Sequence, residues 1–120
     1  VETGKLCPTG WHVPTDAEWT ELTDYLAANG HSGAEGNALK ATSGWDYYNG
    51  TDNYGWNGLP GGKRWTNGMF FDFGTYGYWW SSSQYDAGNA WNRVFSFGVD
   101  NVLSYDSNKE NGFYVRCIRD

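Results

Sequence analysis

Apolar and polar positions change rhythm along this chain, from a helical period near the start to alternation near the end. Trp19, Leu22, Tyr25 and Leu26 recur three to four residues apart and form one apolar stripe. Thr15 stands where an N-cap belongs, with Glu18 three residues on, the pattern of a capping box. Asp16 and Glu18 suit the positive end of a helix dipole, and Gly30 after Asn29 is a stop signal. The pattern predicts a helix over 16–28. A shorter helix is predicted over 34–40, weakened by its glycines. From 42 to 68 glycines and Pro60 interrupt every run, which reads as a long loop region. Short alternating runs then predict strands at 68–73, 77–83, 90–98, 101–107 and 112–120, separated by turns bearing Gly or Asn. Two helices, a long loop region and an antiparallel C-terminal meander make an α+β domain.

Composition sharpens this picture. The 120 residues suit one domain spanning 1–120. Eight Trp, nine Tyr and six Phe must supply most of the core, because aliphatics are scarce and Ile118 is the sole isoleucine. A net charge of −6 argues against nucleic acid and against anionic lipid, both of which need clustered Lys and Arg. No apolar run reaches the ~20 residues of a membrane span. Cys7 and Cys117 lie near opposite ends; they are either a disulfide in an oxidising compartment or two buried thiols, and their placement favours the bridge. The chain reads as a domain excised from a larger surface protein.

Five blocks carry a family resemblance. "CPTGWHVPTDAEWTELTDYL", "LKATSGW", "GTDNYGWNGLPGGKR", "GYWWSSS" and "NGFYVRCIRD" occur in order and span nearly the whole chain. Together they resemble the Fibrobacter succinogenes major paralogous domain, which is similar to the C-type lectin-like fold and its formylglycine-generating-enzyme-like branch. The resemblance implies a secreted or surface-anchored bacterial protein. It also implies a bridge between Cys7 and Cys117, because the first helix and last strand of such folds lie close together. Family members carry a further segment before the first block, so an opening strand is expected to be missing here or supplied differently.

Candidate chemistry follows from these blocks. C-type lectins hold calcium and sugar through Glu-Pro-Asn or Gln-Pro-Asp and Trp-Asn-Asp triplets. Here the first is absent, and Trp91-Asn92-Arg93 puts a cation where a carboxylate belongs. No cofactor is expected. A structural calcium at Asp52 and Asn53, or at Asp100, Asn101, Asp106 and Asn108, competes with the commoner use of such residues in closing turns. The enzyme branch uses paired C-terminal cysteines, and only Cys117 is present there. His12 reads as a packed residue beside Trp11, and neither histidine has a nucleophile at a telling spacing. The domain is therefore expected not to be an enzyme.

Trp11, Trp19, Trp56, Trp79 and Phe113 fall in the shared blocks and read as core. Residues 84–114 are rich in Tyr, Ser, Asn, Asp and Gly, a composition that suits a binding surface. The expected contacts are Tyr85, Asp86, Asn89, Trp91, Asn92, Ser96, Asn101, Ser104, Tyr105, Ser107, Asn111 and Tyr114. Trp91 is placed at the centre of this surface or beneath it. Many of the polar positions are reachable from asparagine codons by adenine mutation, as in the targets of diversity-generating retroelements. Strand alternation would set them on a solvent face. The expected function is non-catalytic capture of a protein or glycan on a cell or host surface by a monomeric domain. A carbohydrate-binding module of fixed specificity, a structural spacer and a polysaccharide-acting enzyme are the alternatives.

Overall fold

The capping box forms as expected and starts the main helix. In the computed structural model, which describes residues 3–120, the Glu18 amide donates to Thr15 Oγ1 at 3.1 Å, and the Thr15 amide donates to Glu18 Oε2 at 2.8 Å. Strand β1 (Trp11–His12) precedes helix α1 (Asp16–Leu26), which continues as a wider turn through Ala27–His31. The regular helix thus ends two residues earlier than the period predicts. Gly30, at φ 92°, takes a left-handed conformation that other residues rarely adopt and breaks the wider turn. Helix α2 (Glu35–Leu39) is one residue shorter at each end than predicted.

Three longer strands form one antiparallel sheet in the order β4 (Tyr76–Gln84), β5 (Asn89–Ser96), β6 (Leu103–Asn108). Tyr78 pairs with Val94 and Trp79 with Arg93, while Asn92 faces Tyr105. A bulge between Trp80 and Gln84 shifts the register. Two small pairs flank this sheet: β2 (Lys63–Arg64) with β3 (Phe70–Phe71), and β1 with β7 (Ile118–Arg119). The alternation at 68–73 and 112–120 therefore overstates the strands. Only two residues of each run pair as a strand; Gly112 and Tyr114 add single bridges. The β2 strand lies inside the predicted loop region.

Alternation gives the two tryptophans of "YWWS" different tasks. Trp79 points toward the helices and joins Trp19, Leu26, Ala38, Leu39, Trp45 and Phe95 in the core. Trp80 points to the other face, where Phe113 stacks on it with centroids 4.2 Å apart. Gly77 precedes them because a Cβ there would lie 2.4 Å from the Trp79 ring. β5, the middle strand, is covered on both faces, so Asn92 and Ser96 are buried although polar. Trp11 departs from expectation: it is 46% exposed and not core, because β1 lies on the outside, paired among the described residues only with β7.

Lys40 is buried against Trp45, with Nζ 5.0 Å from the ring centroid. Its ammonium donates to the carbonyls of Ser96 and, at 2.9 Å, Val99. It thereby ties the start of the loop region to the end of β5. Cys7 and Cys117 form a disulfide with Cα atoms 5.9 Å apart, joining the two ends of the described chain.

Candidate functional site

Alternation along β5 and β6 divides the expected contact residues between two faces of the sheet. Trp91 and Ser104 lie on the helix side, while Asn92, Ser96, Tyr105 and Ser107 lie on the other. On the helix side a recess of about 450 Å³ opens between α1 and the sheet. Asp16, Thr20 and Thr23 line it from the helix, a polar stripe at four- and three-residue spacing. Trp91, Asn101 and Ser104 line it from the sheet and the turn before β6. Glu35 closes one end, its carboxylate accepting from the Gly33 amide at 3.1 Å.

Arg93 holds the floor of this recess. Its Nη1 donates to Asp16 Oδ1 at 2.6 Å, and its Nη2 donates to the Asp16 carbonyl at 3.2 Å and to Thr20 Oγ1 at 3.3 Å. The guanidinium is buried, so this charge-assisted bracket orients α1 on the sheet rather than presenting a free cation. Asn101 and Ser104 have no side-chain hydrogen-bond partner among the described residues and are exposed. Trp91 is half-buried, and the Tyr85 ring meets it edge-on at 5.1 Å.

The remaining expected residues divide by task. Asp86 closes the β4–β5 turn: its Oδ1 accepts from the amides of Gly88 and Asn89 at 2.9 and 2.8 Å and from the Asn89 side chain at 2.9 Å. These bonds, led by the Gly88 amide, hold its carboxyl below the usual carboxylate range. Tyr105 is exposed on the far face of the sheet. Asn92 is not available there, because it is buried and its Nδ2 is engaged by Ser107 Oγ at 2.9 Å. Ser96 is buried, and its Oγ accepts from the Gly98 amide at 3.1 Å. Tyr114 sits elsewhere, beside Trp79 at 5.4 Å and over Gly61. Asn111 carries a buried Oδ1 with no donor among the described residues. The twelve residues thus do not form one surface; Trp91, Asn101 and Ser104 converge, with Tyr85 braced on Trp91.

Each of the two acidic and amide clusters supplies a residue that closes a turn. Asp52 Oδ1 accepts from the Asn57 amide at 2.8 Å, and Asn108 Oδ1 accepts from the Glu110 amide at 2.8 Å. Among the described residues no three His, Cys, Asp or Glu gather where they could hold a metal ion.

Two features escape the sequence pattern. His12 is not a buried, packed residue, its side chain being 38% exposed. Instead Nδ1 meets Asp120 at 2.6 Å and Nε2 meets Glu18 at 2.9 Å. Those bonds, the one to Asp120 foremost, raise its pKa. The β2–β3 hairpin also exposes Trp65, Met69, Phe70 and Phe73, with Phe70 at 79% and Phe73 at 81%. Alternation over 68–73 looks like a half-buried strand, and nothing local shows that the sheet gives it no cover.

No helix among the described residues is long and apolar enough to cross a membrane. The family model described as Fibrobacter succinogenes major domain matches residues 1–119. No curated protein and no solved structure matches the chain.

Proposed function

The chain belongs to the Fibrobacter succinogenes major domain family, and from that premise we propose that it is a non-catalytic binding domain of the C-type lectin-like class. It captures a protein or glycan ligand in the recess between α1 and β5–β6, at the outer surface of a bacterial cell or outside it. One observation carries this reading: Trp91, Asn101 and Ser104, drawn from separate segments, meet Thr20 and Thr23 around one recess. An aromatic wall with a few convergent polar groups, of which Asn101 and Ser104 are unpartnered among the described residues, is how a binding site is usually built. Tyr85 extends this wall.

Capture without turnover fits the chemistry of the titratable groups. Both cysteines are spent in the disulfide, so neither is a nucleophile. Both ring nitrogens of His12 are engaged by carboxylates, which leaves it no free nitrogen for acid–base work. The disulfide suits an oxidising compartment.

Diversification by a retroelement belongs to the same reading, confined to exposed and half-exposed positions. Sequencing the gene across a natural population should show adenine-directed substitutions at Tyr85, Asp86, Asn89, Asn101, Ser104 and Tyr105, with Asn92 and Ser96 constant because they are buried. Substitutions spread evenly into Trp79 and Phe95 would remove the diversification. Binding is tested separately, with a glycan array and a phage-displayed peptide library as probes. Asn101→Trp, which fills the recess, is expected to lose at least one ligand that the native domain captures. Retained binding of every such ligand by that variant places the site elsewhere.

A further inference from the structure

Helix α1 separates two recesses, and the second has a different character. On the flank away from Thr20 and Thr23, a cavity of about 430 Å³ lies between the helix and the C-terminal segment. Leu22 and Tyr25 form its helix wall, with Trp19 deeper; Trp56 and Arg116 form the opposite one. The far wall is held rigidly. Arg116 stacks on the Trp56 indole at 4.3 Å and donates to the Trp56 carbonyl at 2.6 Å. Trp56 itself is wedged against Trp19, Trp79 and Phe95. Cys117, next to Arg116, is pinned by the disulfide. A wall fixed in advance loses little freedom when a ligand arrives.

The polar groups of this cavity are of both kinds. Arg116 retains guanidinium donors beyond the one given to Trp56, since the fork carries five. Glu21 is exposed, and its carboxylate has no partner among the described residues. Trp19, which lines the cavity, carries a buried Nε1 with no acceptor among the described residues. A buried donor left unpaired costs about 1–3 kcal/mol, so such a group calls for an explanation. The occupant that matches must have an apolar face for indole and phenol rings. It must also carry groups that accept from Arg116 and donate to Glu21. Glu18 also lines the cavity, but its carboxylate is taken by His12 and the Thr15 amide; the one cation and one carboxylate that remain, Arg116 and Glu21, give a net-charged ligand no advantage. A hydroxyl both donates and accepts, and a sugar ring joins several hydroxyls to an apolar face of C–H bonds.

We infer that this cavity is a metal-independent binding site for a neutral saccharide unit, distinct from the recess at Trp91. The site stands apart from the function proposed above, and its failure would leave that reading untouched.

The test is a neutral-glycan array followed by calorimetric titration of the intact domain with a captured oligosaccharide, in the presence of EDTA. At least one neutral glycan is expected to bind, with affinity unchanged by EDTA. Leu22→Trp fills the cavity and should weaken binding by tenfold or more, on the order of 1.4 kcal/mol. Leu22 touches the edge of the core, so Glu21→Lys at an exposed position provides a second variant that spares the fold. It should also weaken binding, whereas Asn101→Trp in the other recess should not. The inference is overturned if no neutral glycan binds, if EDTA abolishes binding, or if both cavity variants bind as the native domain does. Loss of the glycan through Asn101→Trp alone would assign it to the first recess and equally overturn the inference.

Discussion

His12 shows how much a single side chain can couple. It joins Glu18 at the start of α1 to Asp120 at the last position of the chain, and it sits on β1, which pairs with β7. Its pKa is raised above 6.5 by the bond to Asp120 and then the bond to Glu18. Glu18 is lowered below 4.5, chiefly by the Thr15 amide. The signs define a window. A raised histidine contributes fully below its unfolded pKa, and the contribution is lost as pH rises through the folded value. A lowered carboxylate contributes above its unfolded pKa, and its contribution is lost as pH falls through the folded value. Both are present between about pH 4.5 and 6.5. We predict that His12→Gln lowers the melting temperature most in this window, with a gap that narrows as pH rises. A gap independent of pH would mean that the charge of His12 plays no part. Lys40 is a different case: burial lowers its pKa while Asp100 opposes this, and two carbonyls accept hydrogen bonds from its ammonium.

At the scale of elements, α1 is set by local chemistry and the sheet by its position. The N-cap of α1 uses residues three apart, so the start of the helix is specified locally. Thr15→Ala should therefore destabilise the domain by about 1 kcal/mol, read from chemical denaturation. An unchanged midpoint would show that the start of α1 is held by tertiary contacts instead, such as the Asp16 amide bond to Ser83 at 2.8 Å. β5 is the opposite case. Its residues alternate as in a strand with one wet face, yet the helices cover one side and the aromatic layer of Tyr78, Trp80 and Phe113 packs across the other face of the sheet. Tyr78 is pushed upward in pKa by this burial, and its hydroxyl donates to Asp72 at 2.7 Å.

Across the whole molecule, the disulfide closes the chain over 110 residues. It joins the turn before β1 to the segment before β7, and among the described residues these two strands pair only with each other. Replacing both cysteines by serine should cost about 2–5 kcal/mol of stability, measured by denaturant unfolding. A smaller loss would mean that the β1–β7 pair and the His12 bridges hold the ends by themselves. The β2–β3 hairpin stands apart from this closure, with several of its aromatic rings in solvent.

Much of the domain was determined by the sequence alone. The family blocks, the capped helix and the three central strands rest on short-range patterns, and the placement of Cys7 and Cys117 favoured the bridge over two buried thiols. Of the candidate recess, Trp91, Asn101 and Ser104 were legible as an aromatic and two amenable polar residues in a strand-and-turn region. Thr20 and Thr23 carry no signal in the sequence beyond lying off the apolar stripe of α1. Tertiary structure alone decided which face each strand residue takes and what covers it. It buried Asn92 and Ser96, exposed Trp11 and Phe70, and turned His12 toward the last residue of the chain. The physical reason is that period-two alternation separates two faces without saying whether either is wet. That depends on which distant segment packs there, and burial is a property of such non-local contacts.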